Sequence, residues 1–400
     1  MNFVFVSLQR INTDRESTST SLAKELSKEH RVLYVNPPID RRTWYSKTND
    51  IFTQSHIQDI KNKKVGLVKV TEHLSVLSPE KVIESINWIP FTAVFSLFNR
   101  INNKRFSSCI KEAIQELGFE SFILVNDKDM FRSFYLKELL RPALYVYLDR
   151  DYTIGFGYWK RHGPTLEPLL MKKSDAVVCN SLDFTKRALT YNPNSFYIGN
   201  GADLEVFDHT RSWEKPEELK TFKRPVVGYV GALNSMRINI NLIGTIARKR
   251  ADWDFVFIGE EDENFIKSDL HTISNITFFK KKHTNLIPAY VRYFDVCINP
   301  QLVNEITIGN FPLKIIEYLA MGRPVVATAT NTMKEVFSAY TYLAITADEY
   351  IEAIENAMKL DSPNLQQERI KFAHTYSWPS VVKIFLKYIN QVAKDKNIPV

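Results

Sequence analysis

Lys314 and Glu317 are the residues of this chain whose types and spacing most directly suggest chemistry. They lie three positions apart in a stretch with helical periodicity that runs from Asn310 to Gly322, "NFPLKIIEYLAMG", so their side chains share one face of the helix. A cation in the first turn, next to the free amide hydrogens of a helix start, suits a pyrophosphate. The carboxylate of Glu317 can accept hydrogen bonds from both vicinal hydroxyls of a ribose.

The same pair has a simpler interpretation, which the sequence leaves open. Lys314 and Glu317 can form an ion pair with each other on an exposed helix face, which would contribute about 0.3–0.5 kcal/mol and bind nothing. Asn310 as the N-cap and Pro312 in the first turn favour a well-formed helix start. In the ligand-binding interpretation, Asn310, Lys314 and Glu317 hold a nucleoside diphosphate that carries an activated sugar.

Length and composition limit the classes of protein to which the chain can belong. It has 400 residues, of which 44% are hydrophobic and 24% are charged, as expected for two ordinary globular domains and not for a disordered protein. The three cysteines make no metal-binding spacing and are expected to be buried thiols in a reducing compartment. The N-terminus lacks the basic start of a signal peptide, and no apolar run reaches the roughly 18 residues that cross a bilayer. We therefore expect a cytoplasmic protein.

The charge of the chain bears on its partners. A formal net charge of +7 favours anionic partners such as nucleotides or anionic lipid. Because no nucleic-acid-binding motif is present, nucleic acid is not an expected partner. A basic surface without a partner is the alternative.

Two successive series of apolar strands and helices predict the fold class. The first half contains the strands "NFVFVSL", "RVLYVNPP", "SFILVND", "PALYVYLD" and "DAVVCNS", and the pattern restarts with "PVVGYVGAL", "WDFVFIGEE", "NITFFK", "FDVCINPQ" and "RPVVATAT". Strands this apolar imply parallel pairing with both faces covered by helices. We predict an α/β protein of two doubly wound, Rossmann-like domains that face a cleft, followed by an amphipathic C-terminal helix.

Familiar ligand-binding fingerprints do not fit these domains. The first strand is not followed by the glycines of a dinucleotide-binding turn, and the "GFG" at 155–157 lacks the third glycine. The patterns of the phosphate-binding loop and of the HExxH zinc site are also missing from the sequence.

The acids of "LYVYLDRDY" offer a proton acceptor. Asp149 and Asp151 follow an apolar strand of the first half, so they are expected at the edge where parallel strands end. Either one can take the proton from an attacking hydroxyl as a general base. The alternative is that they form an ion pair with Arg150 or cap a helix. The spacing also matches a DxD metal motif, but the intervening arginine suits a metal site poorly.

An aromatic segment from residue 86 to residue 106 has two open interpretations. It combines apolar side chains with three cations, namely Trp88, Phe91, Phe95, Leu97 and Phe98 with Arg100, Lys104 and Arg105. Such a segment suits contact with a membrane that holds a lipid-linked acceptor. It also suits a core helix of the first domain. Contact with the inner face of the cell membrane therefore stays open.

Several stretches together resemble the GT-B-fold glycosyltransferases, especially family 4 and its relatives in bacterial surface-polysaccharide synthesis. The matching stretches run in the expected order over nearly the whole chain: "RVLYVNPP", "IGNGADLEVF", "VVGYVGAL", "FVFIGE", "FDVCINP", "PLKIIEYLAMGRPVVAT" and "SWPSVVKIF". The resemblance implies a domain for the acceptor at 1–199, a domain for the nucleotide sugar at 200–376, and a C-terminal helix at 377–400 that returns to the first domain.

The resemblance also implies roles for individual residues. Glu317 corresponds to the ribose-binding glutamate, Lys314 faces the diphosphate or the sugar, and Arg237 neutralises the pyrophosphate. Gly231 lets the first strand–helix turn of the second domain approach the donor closely.

Two positions depart from the family pattern. Gly309 stands where a second acid is usual, eight residues before Glu317, and Ala232 stands where an arginine is usual. Neutralisation of the diphosphate then depends on Arg237, Lys314 and helix dipoles, and the stereochemical outcome stays open.

The resemblance implies a metal-independent glycosyltransferase without a cofactor. It would move a sugar from a nucleotide-diphosphate donor to a hydroxyl of a glycan or a lipid-linked glycan. A sugar-nucleotide epimerase of the same fold and a non-catalytic partner subunit are the alternatives.

Overall fold

Two β-sheets organise the chain in its computed structural model. The structure describes residues 1–11, 17–64, 66–155, 157–305, 307 and 309–398. The strands of the first sheet are β1 (Asn2–Ser7), β2 (Arg31–Val35), β3 (Leu67–Lys69), β4 (Leu74–Leu77), β5 (Ile123–Asp127), β6 (Leu144–Asp149), β7 (Ala176–Cys179) and β8 (Ser195–Tyr197). Those of the second are β9 (Val226–Val230), β10 (Asp254–Ile258), β11 (Ile276–Phe279), β12 (Val296–Asn299), β13 (Val325–Thr328) and β14 (Tyr342–Ala344).

Helices connect these strands. In the first half they are α1 (Thr18–Leu26), α2 (Arg41–Tyr45), α3 (Ile51–Lys61), α4 (Thr92–Glu116), α5 (Leu136–Leu140), α6 (Gly157–Lys160), α7 (Gly163–Lys173) and α8 (Leu182–Leu189). In the second half they are α9 (Ile240–Lys249), α10 (Glu263–Ile266), α11 (Ile287–Arg292), α12 (Leu313–Ala320), α13 (Ala347–Leu360), α14 (Pro363–His374) and α15 (Trp378–Asp395). Within the described residues, no helix is both long and apolar enough to cross a membrane.

The contacts within the chain divide it into two units. The first unit comprises residues 1–199 and the C-terminal part from Val381 onward, and the second comprises residues 200–380. Helix α15 begins at the end of the second unit, and its apolar face packs on the first. Val381, Phe385 and Ile389 are buried, and the Phe385 ring lies 6.2 Å from the ring of Phe3.

The first sheet has the strand order β3-β4-β2-β1-β5-β6-β7-β8. All neighbours pair in parallel except β3, which is antiparallel to β4 at the edge. The inner strands are buried on both faces, as predicted from their continuous apolar runs. The strand order reverses between β1 and β5, where the polar ends of β5 and β6 are brought together.

The second sheet has the order β11-β10-β9-β12-β13-β14, and every pair is parallel. This is the strand order of a Rossmann domain, which confirms the predicted doubly wound fold class. The order reverses between β9 and β12. In sheets of this kind, ligands bind beyond the carboxyl ends of the strands at this reversal, so the residues that follow β9 are the first place to look for a site.

Candidate functional site

Helix α12 is attached to the end of β9 by one buried tyrosine. The Tyr318 hydroxyl accepts a hydrogen bond from the Val230 amide at 2.7 Å and donates one to the Val230 carbonyl at 3.2 Å. The apolar face of α12, which includes Ile315, Ile316 and Leu319, is buried. The start of α12 is thereby placed beside the carboxyl end of β9, at the reversal of strand order.

The start of α12 differs from the prediction. Pro312 occupies the N-cap position, and no side chain caps the helix. The prediction that Asn310 is the cap and that Pro312 lies in the first turn was therefore wrong. Asn310 lies two residues earlier, where its amide donates to the Thr307 carbonyl at 3.2 Å. The Ile315 amide donates to the Pro312 carbonyl at 2.9 Å, and no side chain caps the Leu313 and Lys314 amides. Those two amides are therefore available to an anion.

Lys314 is held by a tyrosine of β9 rather than by Glu317. Its Nζ donates to the Tyr229 hydroxyl at 2.5 Å and lies 4.1 Å from the centre of the Tyr229 ring. The hydroxyl of Tyr229 donates in turn to the Ala232 carbonyl at 3.1 Å. Among the ion pairs of the described residues, none joins Lys314 to Glu317. The interpretation of the two residues as a mutual surface pair is therefore not seen in this structure.

Gly231 provides the space beside the lysine. Its φ of 142° lies in the region that favours glycine, and a Cβ at this position would lie 2.8 Å from Lys314 Nζ. The backbone of Gly231 also touches that of the next strand end, since a Cβ on Gly259 would lie 1.9 Å from the Gly231 carbonyl oxygen. Gly231 is therefore required by its backbone conformation and by the lysine beside it, and Gly259 is required by the close approach of the Gly231 backbone.

Glu317 presents a carboxyl group without a partner among the described residues. The side chain is half-buried by accessible surface, yet protein atoms surround its carboxyl closely. This burial raises the pKa of Glu317 to about 7, Lys314 opposes the increase, and Asp203 adds to it. A carboxylate that is enclosed but not hydrogen-bonded by the protein is suited to accept hydrogen bonds from a ligand.

Arg237 lies in the turn after β9, where its side chain is exposed. Its carbonyl accepts from the Leu302 amide at 2.8 Å, so the backbone is fixed although the side chain bonds to no described residue. The structure thus brings Gly231, Tyr229 and Lys314 into direct contact. It shows no contact from Arg237 or Asn310 to these three within the described part of the chain.

Asp149 is fully buried in an ion network at the end of β6. Lys128 and Arg187 both bind its carboxylate, Arg187 at 2.7 Å. The same two cations bind Glu167, at 2.6 and 3.0 Å. Although burial alone would lower it, the facing carboxylates raise the pKa of Lys128. With both oxygens occupied by cations, Asp149 balances buried charge and is poorly placed to accept a proton.

Asp151 differs from Asp149 in its exposure. Arg150 makes a two-pronged contact to the buried Asp127, at 2.6 and 2.9 Å, and a single contact to Asp151 at 3.0 Å. About half of the Asp151 side chain stays accessible, at 53%. Of the two acids predicted as a general base, only Asp151 is open to an incoming hydroxyl.

Two residues of the site were not predicted from the sequence. Tyr229, the partner of Lys314, could have been found by its position next to the last residue of the apolar strand that precedes Gly231. Asp203, which acts on Glu317 through its charge, lies within the stretch "IGNGADLEVF", but nothing in the local pattern marks it as a neighbour of α12.

Comparisons with known proteins show which family and fold the chain resembles. Residues 224–359 match the model of the family "Glycosyl transferases group 1". The chain is 23% identical over 229 residues to TuaH of Bacillus subtilis (strain 168), whose name assigns it to teichuronic acid biosynthesis as a glycosyltransferase. That match covers 55% of this chain and spans 57% of the length of TuaH.

Solved structures match almost the entire chain. Sucrose-phosphate synthase from Thermosynechococcus elongatus has a TM-score of 0.67 at 13% identity, over 98% of this chain and 99% of that one. HepE from Anabaena, in complex with UDP, has a TM-score of 0.66 at 13% identity, over 98% and 100% of the two chains. The chain therefore has the GT-B fold of glycosyltransferases, and its second unit carries a glycosyl transferases group 1 domain.

Proposed function

We propose that the protein transfers a glycosyl group from a nucleotide-diphosphate sugar to a hydroxyl of a glycan or a lipid-linked glycan during synthesis of a surface polysaccharide. The observation that carries the proposal is the placement of Lys314 and Glu317 on the first turns of α12, beside the end of β9. The family match and the likeness to TuaH support the reaction class. The structures of HepE with UDP and with UDP-glucose support a nucleotide sugar as the donor.

The second unit is proposed to bind the donor. The diphosphate lies at the uncapped start of α12, where the helix dipole and Lys314 favour negative charge. Glu317 accepts hydrogen bonds from the ribose hydroxyls. Arg237, which has no described partner of its own, is free to approach the same diphosphate. In this proposal, fixed positive charge stabilises the leaving nucleotide, and no metal ion or cofactor takes part.

The first unit is proposed to bind the acceptor. Asp151 lies two residues beyond the end of β6 and is accessible, so it is our candidate for the group that takes the proton of the attacking hydroxyl. Asp151→Asn should lower the rate of transfer by at least about a hundredfold while leaving UDP affinity unchanged. An unchanged rate of transfer would remove Asp151 from the mechanism.

Nucleotide binding tests the donor site directly. UDP and GDP should raise the unfolding temperature of the wild-type protein, because a ligand that binds only the folded state stabilises it. The better nucleotide should bind about tenfold to a hundredfold more weakly to Lys314→Met and to Glu317→Ala, since each variant loses charge-assisted hydrogen bonds. Lys359→Met and Glu352→Ala, on the exposed side of α13, are matched controls and should bind normally.

The products of the reaction separate transfer from the alternatives. Incubation with the nucleotide sugar and a glycan acceptor should release the nucleoside diphosphate in step with a new glycosidic bond. Conversion of the donor without an acceptor would indicate an epimerase. Nucleotide binding without turnover of any donor would indicate a non-catalytic subunit.

A further inference from the structure

The long helix α4 and the turn before it expose an apolar surface. Trp88 and Phe91 are 74% and 71% exposed, and Leu97 is 66% exposed. Six residues form this surface, which we call the apolar stripe: Trp88, Phe91, Val94, Leu97, Phe98 and Ile101. The last four follow one face of the helix, at the spacing of positions i, i+3, i+4 and i+7. Of the residues predicted for a core helix, only Phe95 is buried.

Behind the apolar stripe, α4 buries three asparagines, whereas its later turns bury apolar residues such as Phe106 and Ile110 in the usual way. Asn99 and Asn103 donate to the Phe131 carbonyl at 2.7 and 3.0 Å, and Asn102 donates to the Glu84 carbonyl at 2.8 Å. These asparagines are almost fully buried. They fix the rotation of the helix through hydrogen bonds, so the apolar stripe cannot turn inward without leaving buried polar groups unpaired.

The turn that carries Trp88 is also fixed. Arg161 donates to the Asn87 and Trp88 carbonyls at 3.0 and 2.8 Å, and Asn87 donates to the Tyr158 carbonyl at 2.7 Å. Tyr158 is itself exposed. The exposed aromatic side chains therefore project from a rigid, hydrogen-bonded base, which lowers the entropy lost when they bind another surface.

The charged side chains of the segment that carries the apolar stripe are all positive. From residue 85 to residue 111 the sequence contains no aspartate or glutamate. Arg100 and Lys104 are exposed and form no ion pair with a described acid, whereas Arg105 pairs with Glu84 at 2.7 Å and is neutralised. Lys160, beside Tyr158, is exposed as well. An apolar surface edged by unpaired cations is complementary to an anionic bilayer, which presents headgroup charge above acyl chains.

We infer that the apolar stripe docks on the surface of a bilayer containing anionic lipid, with Trp88, Phe91, Leu97 and Phe98 at the level of the headgroups and Arg100 and Lys104 against the lipid phosphates. A contiguous apolar surface of this kind marks an interaction site in a folded protein. Lipid, rather than a second copy of the chain, is the occupant that fits, because two copies in contact would bring these like charges together. The inference goes beyond the proposed function, since it stands whether or not the protein transfers sugar.

Vesicle flotation tests the inference. Wild-type protein should float with vesicles of phosphatidylcholine mixed equally with phosphatidylglycerol, and much less with phosphatidylcholine alone. Leu97→Ser with Phe98→Ser should weaken vesicle binding by about tenfold or more, because two apolar side chains that would be buried in the bilayer are lost. Leu189→Ser with Leu360→Ser, at exposed leucines outside the apolar stripe, is the matched control and should bind as wild type.

Two further variants separate charge from apolar insertion. Arg100→Gln with Lys104→Gln should weaken binding to the anionic vesicles about fivefold for each cation removed. Trp88→Phe should still bind but should lose fluorescence quenching by brominated lipid, because Trp88 is placed at the interface. Equal flotation of the Leu97/Phe98 variant and the wild type would overturn the inference. A wild-type dimer in light scattering that becomes a monomer in this variant, without vesicle binding, would show that the surface joins two copies instead.

Discussion

Replacement of Glu317 by glutamine should stabilise the second unit at alkaline pH while weakening its affinity for nucleotide. Enclosure of the carboxyl raises the pKa of Glu317 to about 7, against an ordinary value of 4.5. Between these two pH values the folded protein holds a proton that the unfolded chain has lost. The free energy of unfolding therefore falls as the pH rises through this range.

The size of the effect follows from the two pKa values. Each tenfold difference in proton affinity corresponds to about 1.4 kcal/mol, so ionising Glu317 in the folded state costs about 3 kcal/mol above pH 7. Glutamine has a similar shape and cannot ionise. Glu317→Gln should thus be more stable than wild type by about 3 kcal/mol near pH 8 and equal to it near pH 4.5. A functional residue kept at such a cost is expected in a binding site.

Native-state hydrogen exchange measures this prediction within the second unit. Amide hydrogens in peptides that cover β9 and β12 should exchange more slowly in Glu317→Gln than in wild type near pH 8, once the rates are corrected for intrinsic exchange. The slower exchange would report that the second unit opens less often. Glu352→Gln, at an exposed position of α13, is the control and should match wild type. The reasoning is refuted if Glu317→Gln and wild type have equal protection near pH 8, or if the glutamine variant binds UDP as tightly as the wild type.

Three further outcomes are expected. UDP affinity of the wild type, measured by calorimetry, should increase by up to about tenfold for each unit by which the pH increases towards 7, because the ribose hydroxyls need the ionised Glu317. This increase should be absent in Glu317→Gln. Gly231→Ala places a Cβ 2.8 Å from Lys314 Nζ in a strained backbone region. The strain costs about 1–3 kcal/mol, and we expect it to weaken UDP binding by roughly tenfold or more. Unchanged UDP affinity would contradict the close approach. Tyr318→Phe leaves the Val230 amide without its partner, so urea unfolding of the second unit should show a loss of about 1–3 kcal/mol, and an unchanged midpoint would mean that the hydroxyl does not anchor α12.

The amino-acid sequence alone determined the local elements and the fold class. Continuous apolar runs predicted parallel strands covered on both faces, and the structure has them in two sheets of Rossmann order. The helical spacing of Lys314 and Glu317 was sufficient to place both side chains on the accessible side of α12. These properties depend on neighbours within a few residues along the chain, which is why a pattern can reveal them.

Only the tertiary structure decided which partners these side chains have. Lys314 bonds to Tyr229, 85 positions away along the chain, and Asp149 is enclosed by Lys128 and Arg187 from a different strand end and a helix. Similarly, composition marked the segment from residue 86 to residue 106 as aromatic and cationic, but not that Trp88, Phe91 and Leu97 are exposed while three asparagines of α4 are buried. Burial and pairing depend on which surfaces are brought together across a sheet. That information is absent from the spacing of residues within any single helix or strand.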